Sequence, residues 1–81
     1  MFSAERIRRI LEENLPDCVA IVEDPANDGT HFQAEVVSSV FVGKSRIQQH
    51  QAVYRALGDH MRSDIHALQL KTFTPDVWPH R

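Results

Sequence analysis

The feature that most limits the fold of this chain is the spacing of its apolar residues, which changes from strand-like to helical and back to strand-like after residue 31. Residues 31–38, HFQAEVVS, alternate apolar and polar side chains as a half-buried β-strand does. Residues 45–57 repeat apolar and aromatic side chains at helical spacing, and residues 66–73, HALQLKTF, return to alternation. A strand that reaches another strand through helical residues makes a crossover, so we expect these two strands to be parallel neighbours joined with the usual right hand.

The long helix of this crossover has recognisable ends. Ser45 with a glutamine three residues later is a capping box, and Gly58 is typical of the position that follows a helix. A further short turn, capped by Asp59 and carrying Met61 and Ile65, is expected before the last strand. The apolar stripe of the long helix comprises Ile47, His50, Val53, Tyr54 and Leu57.

The first half of the chain predicts a helix and a hairpin. Ser3 is the expected N-cap of an amphipathic helix, Phe2 can pack onto Ile7 as a hydrophobic staple, and Pro16 ends the helix. Residues 17–24, DCVAIVED, form a β-branched run that the turn-rich DPANDGT joins to the alternating strand, which predicts an antiparallel pair. The element order is therefore αββααβ, an α+β fold with a three-stranded mixed sheet and helices packed on one face.

Length and composition restrict the class of function. We expect the 81 residues to form one domain, residues 1–81, with a proline-broken tail at about 75–81 whose Trp78 folds back. The formal net charge of -2 argues against a general affinity for nucleic acid. The single cysteine, Cys18, can form neither an internal disulfide nor a four-thiolate metal site, which favours a reducing compartment. With no leader-like start and no run of about 20 apolar residues, the expected location is the cytoplasm.

Two histidines lie where the two parallel strands are expected to begin. His31 opens the second strand and His66 opens the third, and neighbouring strands are about 4.8 Å apart, so both imidazoles would emerge at one edge of the sheet. This is a metal-like geometry, although Phe32 facing inward puts His31 on the outer face while His66 shares the parity of Leu68 and Leu70. The alternative is a histidine that caps a backbone group at a strand end, and spacing alone leaves both readings open.

The stretch VVSSVFVGKSRIQQHQAVYRALGDHMRSDIHALQLKTFTPDVW resembles the BolA family, whose motif runs F-x-G-x-x-x-V-x-R-H-R-x-V-Y-x-x-L, then I-H-A-L and T-x-T-P. The first-loop stretch NDGTHFQ and the short length are most similar to the IbaG branch of that family. The resemblance covers essentially the whole chain. The matching residues are Phe41, Gly43, Ile47, His50, Val53, Tyr54, Leu57, Ile65, His66, Ala67, Leu68, Thr72, Thr74, Pro75 and Trp78.

The resemblance implies a class II KH-like fold and an adaptor function in iron-sulfur cluster trafficking or iron and stress regulation. Members of the family form a heterodimer with a monothiol glutaredoxin around a shared [2Fe-2S] cluster, to which the partner and glutathione supply sulfur. The residue carried over from I-H-A-L is His66, and the second ligand, a His or Cys of the first hairpin loop, corresponds to His31. We expect no cofactor in the isolated chain, and whether that chain is a monomer or a homodimer stays open.

Other candidate ligands have simpler explanations. Cys18 lies in the expected first strand, where a free cysteine is commonly a small buried hydrophobe, and it is the next suspect if His31 is not the ligand. His50 on the helical stripe is expected to be packed and hydrogen-bonded, and His60 and His80 are expected to be solvent or tail residues without a role.

The alternative function is a KH-like nucleic-acid-binding transcriptional regulator, with a modest basic patch of Lys44, Arg46, Arg55 and Lys71. The sequence departs from both relevant patterns, since GKSR has an arginine where a G-x-x-G loop has its second glycine, and QHQ stands in place of R-H-R. Any nucleic-acid binding is therefore expected to be weak. No Ser-His-Asp pattern, H-E-x-x-H motif or evident carboxylate pair is present in the sequence, so an enzyme is not expected.

Overall fold

The computed structural model of the chain describes residues 2–65 and 67–78. The elements follow the order predicted from the sequence, with two short 3₁₀ turns in addition. They are α1 (Ala4–Asn14), β1 (Val19–Glu23), β2 (His31–Val37), a 3₁₀ turn (Ser39–Phe41), α2 (Arg46–Leu57), α3 (His60–Ser63), β3 (Ala67–Phe73) and a second 3₁₀ turn (Pro75–Val77). No helix among the described residues is long and apolar enough to cross a membrane.

The sheet has the predicted mixed topology, with β2 in the centre. Strand order is β1-β2-β3, β1 pairs with β2 antiparallel, and β2 pairs with β3 parallel. The register places His31 opposite Ala67 and Val37 opposite Phe73. The amino-terminal ends of β2 and β3 therefore meet at one edge of the sheet, as the crossover requires.

Alternate residues of β2 separate the core from the outer face of the sheet. Phe32, Ala34 and Val36 are buried beneath the helices, whereas His31 and Gln33 are exposed on the other face. Apolar side chains of α1, α2 and the segment before β3 close the same core. The parity predicted for Phe32 and His31 is confirmed.

Helix α1 begins and packs as its sequence predicts. The Ser3 side chain accepts a hydrogen bond from the backbone N–H of Arg6, which satisfies one of the unpaired donors of the first turn. Phe2 and Ile7 are both buried in the core cluster. Leu15, which precedes Pro16, takes an extended conformation and ends the helix.

The core-facing side of α2 differs from the stripe that the sequence indicates. Val53 and Leu57 are buried, but the side chain of Ile47 is 70% exposed and that of Tyr54 is 39% exposed. The reason is that the helix turns a different side to the sheet, the one that carries Gln49 and Val53, and Ile47 lies to the side of it. The capping box of Ser45 is present as predicted.

The connections after α2 were predicted only in part. Gly58 ends α2 with a positive φ of 58°, a conformation that strongly favours glycine. Asp59 stands at the N-cap position of the short helix α3, but its side chain makes no capping hydrogen bond, so that part of the prediction is wrong. Ile65 is buried in the core.

The carboxyl-terminal residues that the structure describes fold back on the outer side of the sheet. Trp78 is 8% exposed, and its ring meets that of Phe73 edge-on with the centroids 5.3 Å apart. Because Phe73 is in register with the buried Val37, the tail covers one end of the outer face. The expected return of Trp78 onto the domain is confirmed.

Candidate functional site

The loop between β1 and β2 is built on the carboxylate of Asp24. This carboxylate accepts hydrogen bonds from the backbone N–H of Asp28 at 3.3 Å and of Gly29 at 2.9 Å. Asn27 and Gly29 have positive φ values of 53° and 72°, which the turn-rich sequence accommodates. The loop is thereby closed upon itself and delivers the chain to the start of β2.

Asp28 then holds the first residue of β2. One of its carboxylate oxygens accepts the backbone N–H of Thr30 at 3.0 Å and of His31 at 3.1 Å. The other oxygen lies 2.8 Å from Nδ1 of the His31 ring, and the Thr30 hydroxyl lies 2.9 Å from the same nitrogen. The ring of His31 is held at Nδ1 by two oxygen atoms, one from Asp28 and one from Thr30, although its side chain is 52% exposed.

The protonation state of Asp28 assigns the tautomer of His31. Hydrogen bonds from the backbone N–H of Thr30, then from the backbone and ring of His31, hold the pKa of the Asp28 carboxyl far below its usual range. An ionised carboxylate only accepts hydrogen bonds, so Nδ1 of His31 is the atom that carries the proton. In this tautomer Nε2 has the lone pair that a metal ion uses, and a carboxylate on the other ring nitrogen is the usual support of a metal-ligating histidine.

The contribution of Asp28 was not foreseen from the sequence. The signal that points to it is the D-x-x-H spacing within NDGTH, where an aspartate three residues before a histidine can cap the turn and reach the ring. The residue type alone marks His31 as a candidate ligand, but it does not mark Asp28 as the acceptor of its ring. The geometry shows that the two form one unit.

The start of β3 lies beside this unit. Ala67 is in register with His31, and its backbone N–H donates to the carbonyl of Thr30 at 3.1 Å. His66, the other ligand expected from the sequence, lies outside the described residues, and its role stays a prediction. Among the described residues, no three His, Cys, Asp or Glu side chains gather as a metal site.

Cys18 lies just before the strand in which it was expected, and its surroundings disfavour it as a ligand. It directly precedes β1, which begins at Val19, and it is half-buried. Burial, followed by the negative charge of Glu12, raises the pKa of the Cys18 thiol to about 11. Since the thiolate is the form that binds metal, the thiol is disfavoured as a ligand at neutral pH.

The four basic residues of the predicted patch divide into two pairs. Arg46 and Lys71 line a groove beside β3. Lys44 and Arg55 line a different depression, between the end of α1 and α2. The four residues thus line two depressions, and their action as one nucleic-acid-binding patch stays a prediction.

Two histidines have surroundings other than those expected. His50 is half-buried with its ring edge-on to Tyr54 at a centroid distance of 6.5 Å, and the hydrogen bond expected of its side chain is not found within the described residues. His60 is not a plain solvent residue, because its ring lies 4.9 Å from that of Phe2 and its Nδ1 is 2.7 Å from Asp64. His80 lies outside the described residues.

Comparison with known proteins gives this geometry a family context. The family model described as BolA-like protein matches residues 11–77. The chain belongs to the BolA family. A solved structure of a BolA protein homologue from Coxiella burnetii superposes with a TM-score of 0.82 at 44% identity, covering 94% of this chain and 95% of that one. The α+β fold expected from the resemblance is thereby confirmed.

Several curated BolA proteins are similar to the chain. It is 34% identical over 77 residues to the DNA-binding transcriptional regulator BolA of Haemophilus influenzae, covering 88% of this chain and 75% of the relative. It is 39% identical over 54 residues to the acid stress protein IbaG of Escherichia coli, covering 65% and 64%. It is 43% identical over 54 residues to BolA-like protein 1 of the mouse, covering 67% of this chain but only 39% of that relative.

Proposed function

We propose that this BolA-family protein is an adaptor that binds a monothiol glutaredoxin and shares a [2Fe-2S] cluster with it, in iron-sulfur cluster trafficking or in iron and stress regulation. The ligands from this chain are His31 and His66. The observation that carries the proposal is the exposed imidazole of His31, whose Nδ1 is held by the ionised carboxylate of Asp28 at the edge where β3 begins.

This chain can supply only the imidazole ligands of such a cluster. Imidazole nitrogen in place of thiolate makes a [2Fe-2S] cluster less negative and raises its reduction potential. Asp28 leaves Nε2 of His31 as the donor nitrogen, and the remaining ligands are the sulfur atoms of glutaredoxin and glutathione. Cys18 is disfavoured in this set because its raised thiol pKa favours the protonated form at neutral pH.

The adaptor carries out no reaction of its own in this proposal. Binding and orientation of the cluster ligands are its contribution, and its location is the cytoplasm, where the single cysteine stays reduced. The names of two relatives, an acid stress protein and a DNA-binding transcriptional regulator, are compatible with a regulatory setting.

The test is co-expression with a monothiol glutaredoxin, followed by visible absorption and circular dichroism of the purified pair. We expect His66→Ala to change or destabilise the chromophore, and His31→Ala to do so to a smaller extent. His50→Gln is the matched control, since it removes an imidazole from α2, and Cys18→Ser tests the remaining candidate. Spectra unaffected by both His31→Ala and His66→Ala, or abolished by Cys18→Ser alone, would contradict the proposed ligands.

A second candidate function, nucleic-acid binding in transcriptional regulation, is favoured by one observation. Arg46 and Lys71 lie on one groove beside an exposed strand edge. The other two basic residues line a separate depression, which limits the number of phosphates that one strand could contact. Gel-shift titration with single- and double-stranded DNA at physiological salt tests this second function. Tight binding would favour the transcriptional regulator over the glutaredoxin adaptor.

A further inference from the structure

A groove runs between β3 and one side of α2, and neither His31 nor Asp28 is among its lining residues. Its volume is about 350 Å³. One wall belongs to the first turns of α2 and the other to the second half of β3. It is lined by Arg46, His50, Leu70, Lys71, Thr72 and Phe73.

The strand that forms this groove has an open edge. β3 is the last strand in the order β1-β2-β3, so among the described residues only one of its sides is paired. The N–H of Ala67 donates to the carbonyl of Thr30, directly before β2, and in a parallel pair every second residue directs its backbone groups to the neighbour. Leu68, Leu70 and Thr72 therefore direct their N–H and C=O groups away from the sheet, which is the arrangement that accepts an added strand.

Next to the side of α2 that borders the groove, the helix carries apolar side chains that the core does not bury. Ile47 and Tyr54 are 70% and 39% exposed, and with His50 they follow one another at helical spacing on the side next to Arg46. The neighbouring side of α2 packs into the core, where Val53 is fully buried. Of this stripe His50 lines the groove itself, so the side chains of a segment bound there can extend toward Ile47 and Tyr54.

The charge of the groove indicates what kind of segment fits. Arg46 and Lys71 are exposed cations, and no acidic residue lies among its described lining residues, although the chain as a whole has a net charge of -2. Lys71 is in register with Glu35, and both also line the depression on the outer face of the sheet, so Lys71 lies where the groove meets that face. A second copy of this chain paired through β3 would bring the same two cations and no carboxylate of this lining to the groove, which disfavours self-pairing.

We propose that this groove binds an extended acidic peptide segment of a partner protein, which adds to the free edge of β3 as a further strand and places carboxylates against Arg46 and Lys71. The proposal goes beyond the adaptor function and uses none of its cluster ligands. Backbone hydrogen bonds from Leu70 and Thr72 would provide the affinity, and the two cations would provide the preference for acidic sequences.

The probe is a fluorescein-labelled, end-capped peptide of about six residues that alternates glutamate and valine, a length that matches an ordinary strand. Binding is followed by fluorescence anisotropy and by amide chemical shifts of the ¹⁵N-labelled protein. We expect saturable binding that weakens as salt rises, with shifts and slowed amide exchange at Leu68, Leu70 and Thr72. A peptide of the same charge with N-methyl groups on its backbone should lose the binding, because it cannot pair with the strand edge.

Matched variants separate the groove from general charge attraction. Arg46→Gln and Lys71→Gln should each weaken binding by about two- to fivefold, as expected for an exposed charge pair. Arg55→Gln and Lys44→Gln remove the same charges from the other depression and should leave the affinity unchanged.

Several results would overturn the proposal. Equal binding of the N-methylated peptide, equal weakening by the two control variants, or shifts confined to other parts of the protein would each do so. An oligothymidylate that perturbs the same amides when the peptide does not would identify a nucleic-acid site. Protection of the same amides through dimer formation without peptide would identify a second copy as the occupant.

Discussion

At the scale of single residues, the chemistry of the sheet edge depends on the hydrogen bond between the His31 ring and Asp28. The carboxylate decides which nitrogen carries the proton and therefore which nitrogen can bind a metal. Sequence reasoning found His31 from its position at the start of a strand, but it could not find the tautomer, because the tautomer depends on how the preceding loop folds. The role of His66 still depends on the family resemblance alone.

Replacing Asp28 by alanine should change the tautomer of His31 in the free protein. The wild-type ring should be in the form with the proton on Nδ1, and Asp28→Ala should shift its population toward the form with the proton on Nε2, since the acceptor at 2.8 Å is gone. Long-range ¹H–¹⁵N correlation spectra of the histidine rings measure this directly. Asp64→Ala, which removes the partner of His60 instead, is the control, and an unchanged His31 pattern in Asp28→Ala would contradict the assignment.

The thiol of Cys18 should react slowly at neutral pH. Its pKa of about 11 means that little thiolate is present, so alkylation by iodoacetamide should be slower than in the urea-unfolded protein and should keep accelerating toward pH 11. Because the raised pKa favours the neutral thiol in the folded state, its contribution to stability is complete below the pKa of the unfolded thiol and is lost as pH rises through about 11. Cys18→Ser should remove this alkaline loss of unfolding free energy, and equal reactivity of folded and unfolded protein at neutral pH would contradict the account.

At the scale of elements, the order and pairing of helices and strands could be predicted because each element carries its own period and its own end signals. The side of α2 that faces the core could not, because Ile47 and Tyr54 continue the apolar spacing outward beyond the buried Val53 and Leu57. What orients α2 is partly polar. The amide of Gln49 donates to the carbonyls of Phe41 at 3.3 Å and Lys44 at 2.9 Å.

Gln49 should consequently contribute to stability although it is a polar residue of a surface helix. Its side chain also accepts the hydroxyl of Thr72 at 2.6 Å and so joins α2, the turn before it and β3. Gln49→Ala should lower the free energy of unfolding by about 1–2 kcal/mol, because partly buried acceptors lose their donor. Urea denaturation measures the change.

The neighbouring Gln48 and Gln51 are not equivalent controls for this effect. Gln48 belongs to the capping box, whereas Gln51 is exposed, so Gln51→Ala is the matched variant and should cost little. Adding Thr72→Val to Gln49→Ala should cost less than Thr72→Val alone, since the shared hydrogen bond is already gone. Equal losses of unfolding free energy in Gln49→Ala and Gln51→Ala would show that the hydrogen bonds of Gln49 do not stabilise the fold.

At the scale of the whole molecule, one small sheet presents two separate surfaces. The edge where β2 and β3 begin carries the His31–Asp28 unit, and the free edge of β3 carries the basic groove. The sequence predicts the first, because the crossover topology brings the strand starts together. It could not predict the second, because the division of Lys44, Arg46, Arg55 and Lys71 into two pairs depends on which way α2 faces.

The central claim is that imidazole nitrogens of this chain bind iron in the complex with glutaredoxin, and pulsed electron paramagnetic resonance tests it most directly. The chain is labelled with ¹⁵N-histidine, joined to unlabelled glutaredoxin, and the cluster is reduced. We predict ¹⁵N couplings from two histidines, one lost in His31→Ala and the other in His66→Ala, with His50→Gln unchanged. A reduced cluster without any strongly coupled ¹⁵N would contradict the account.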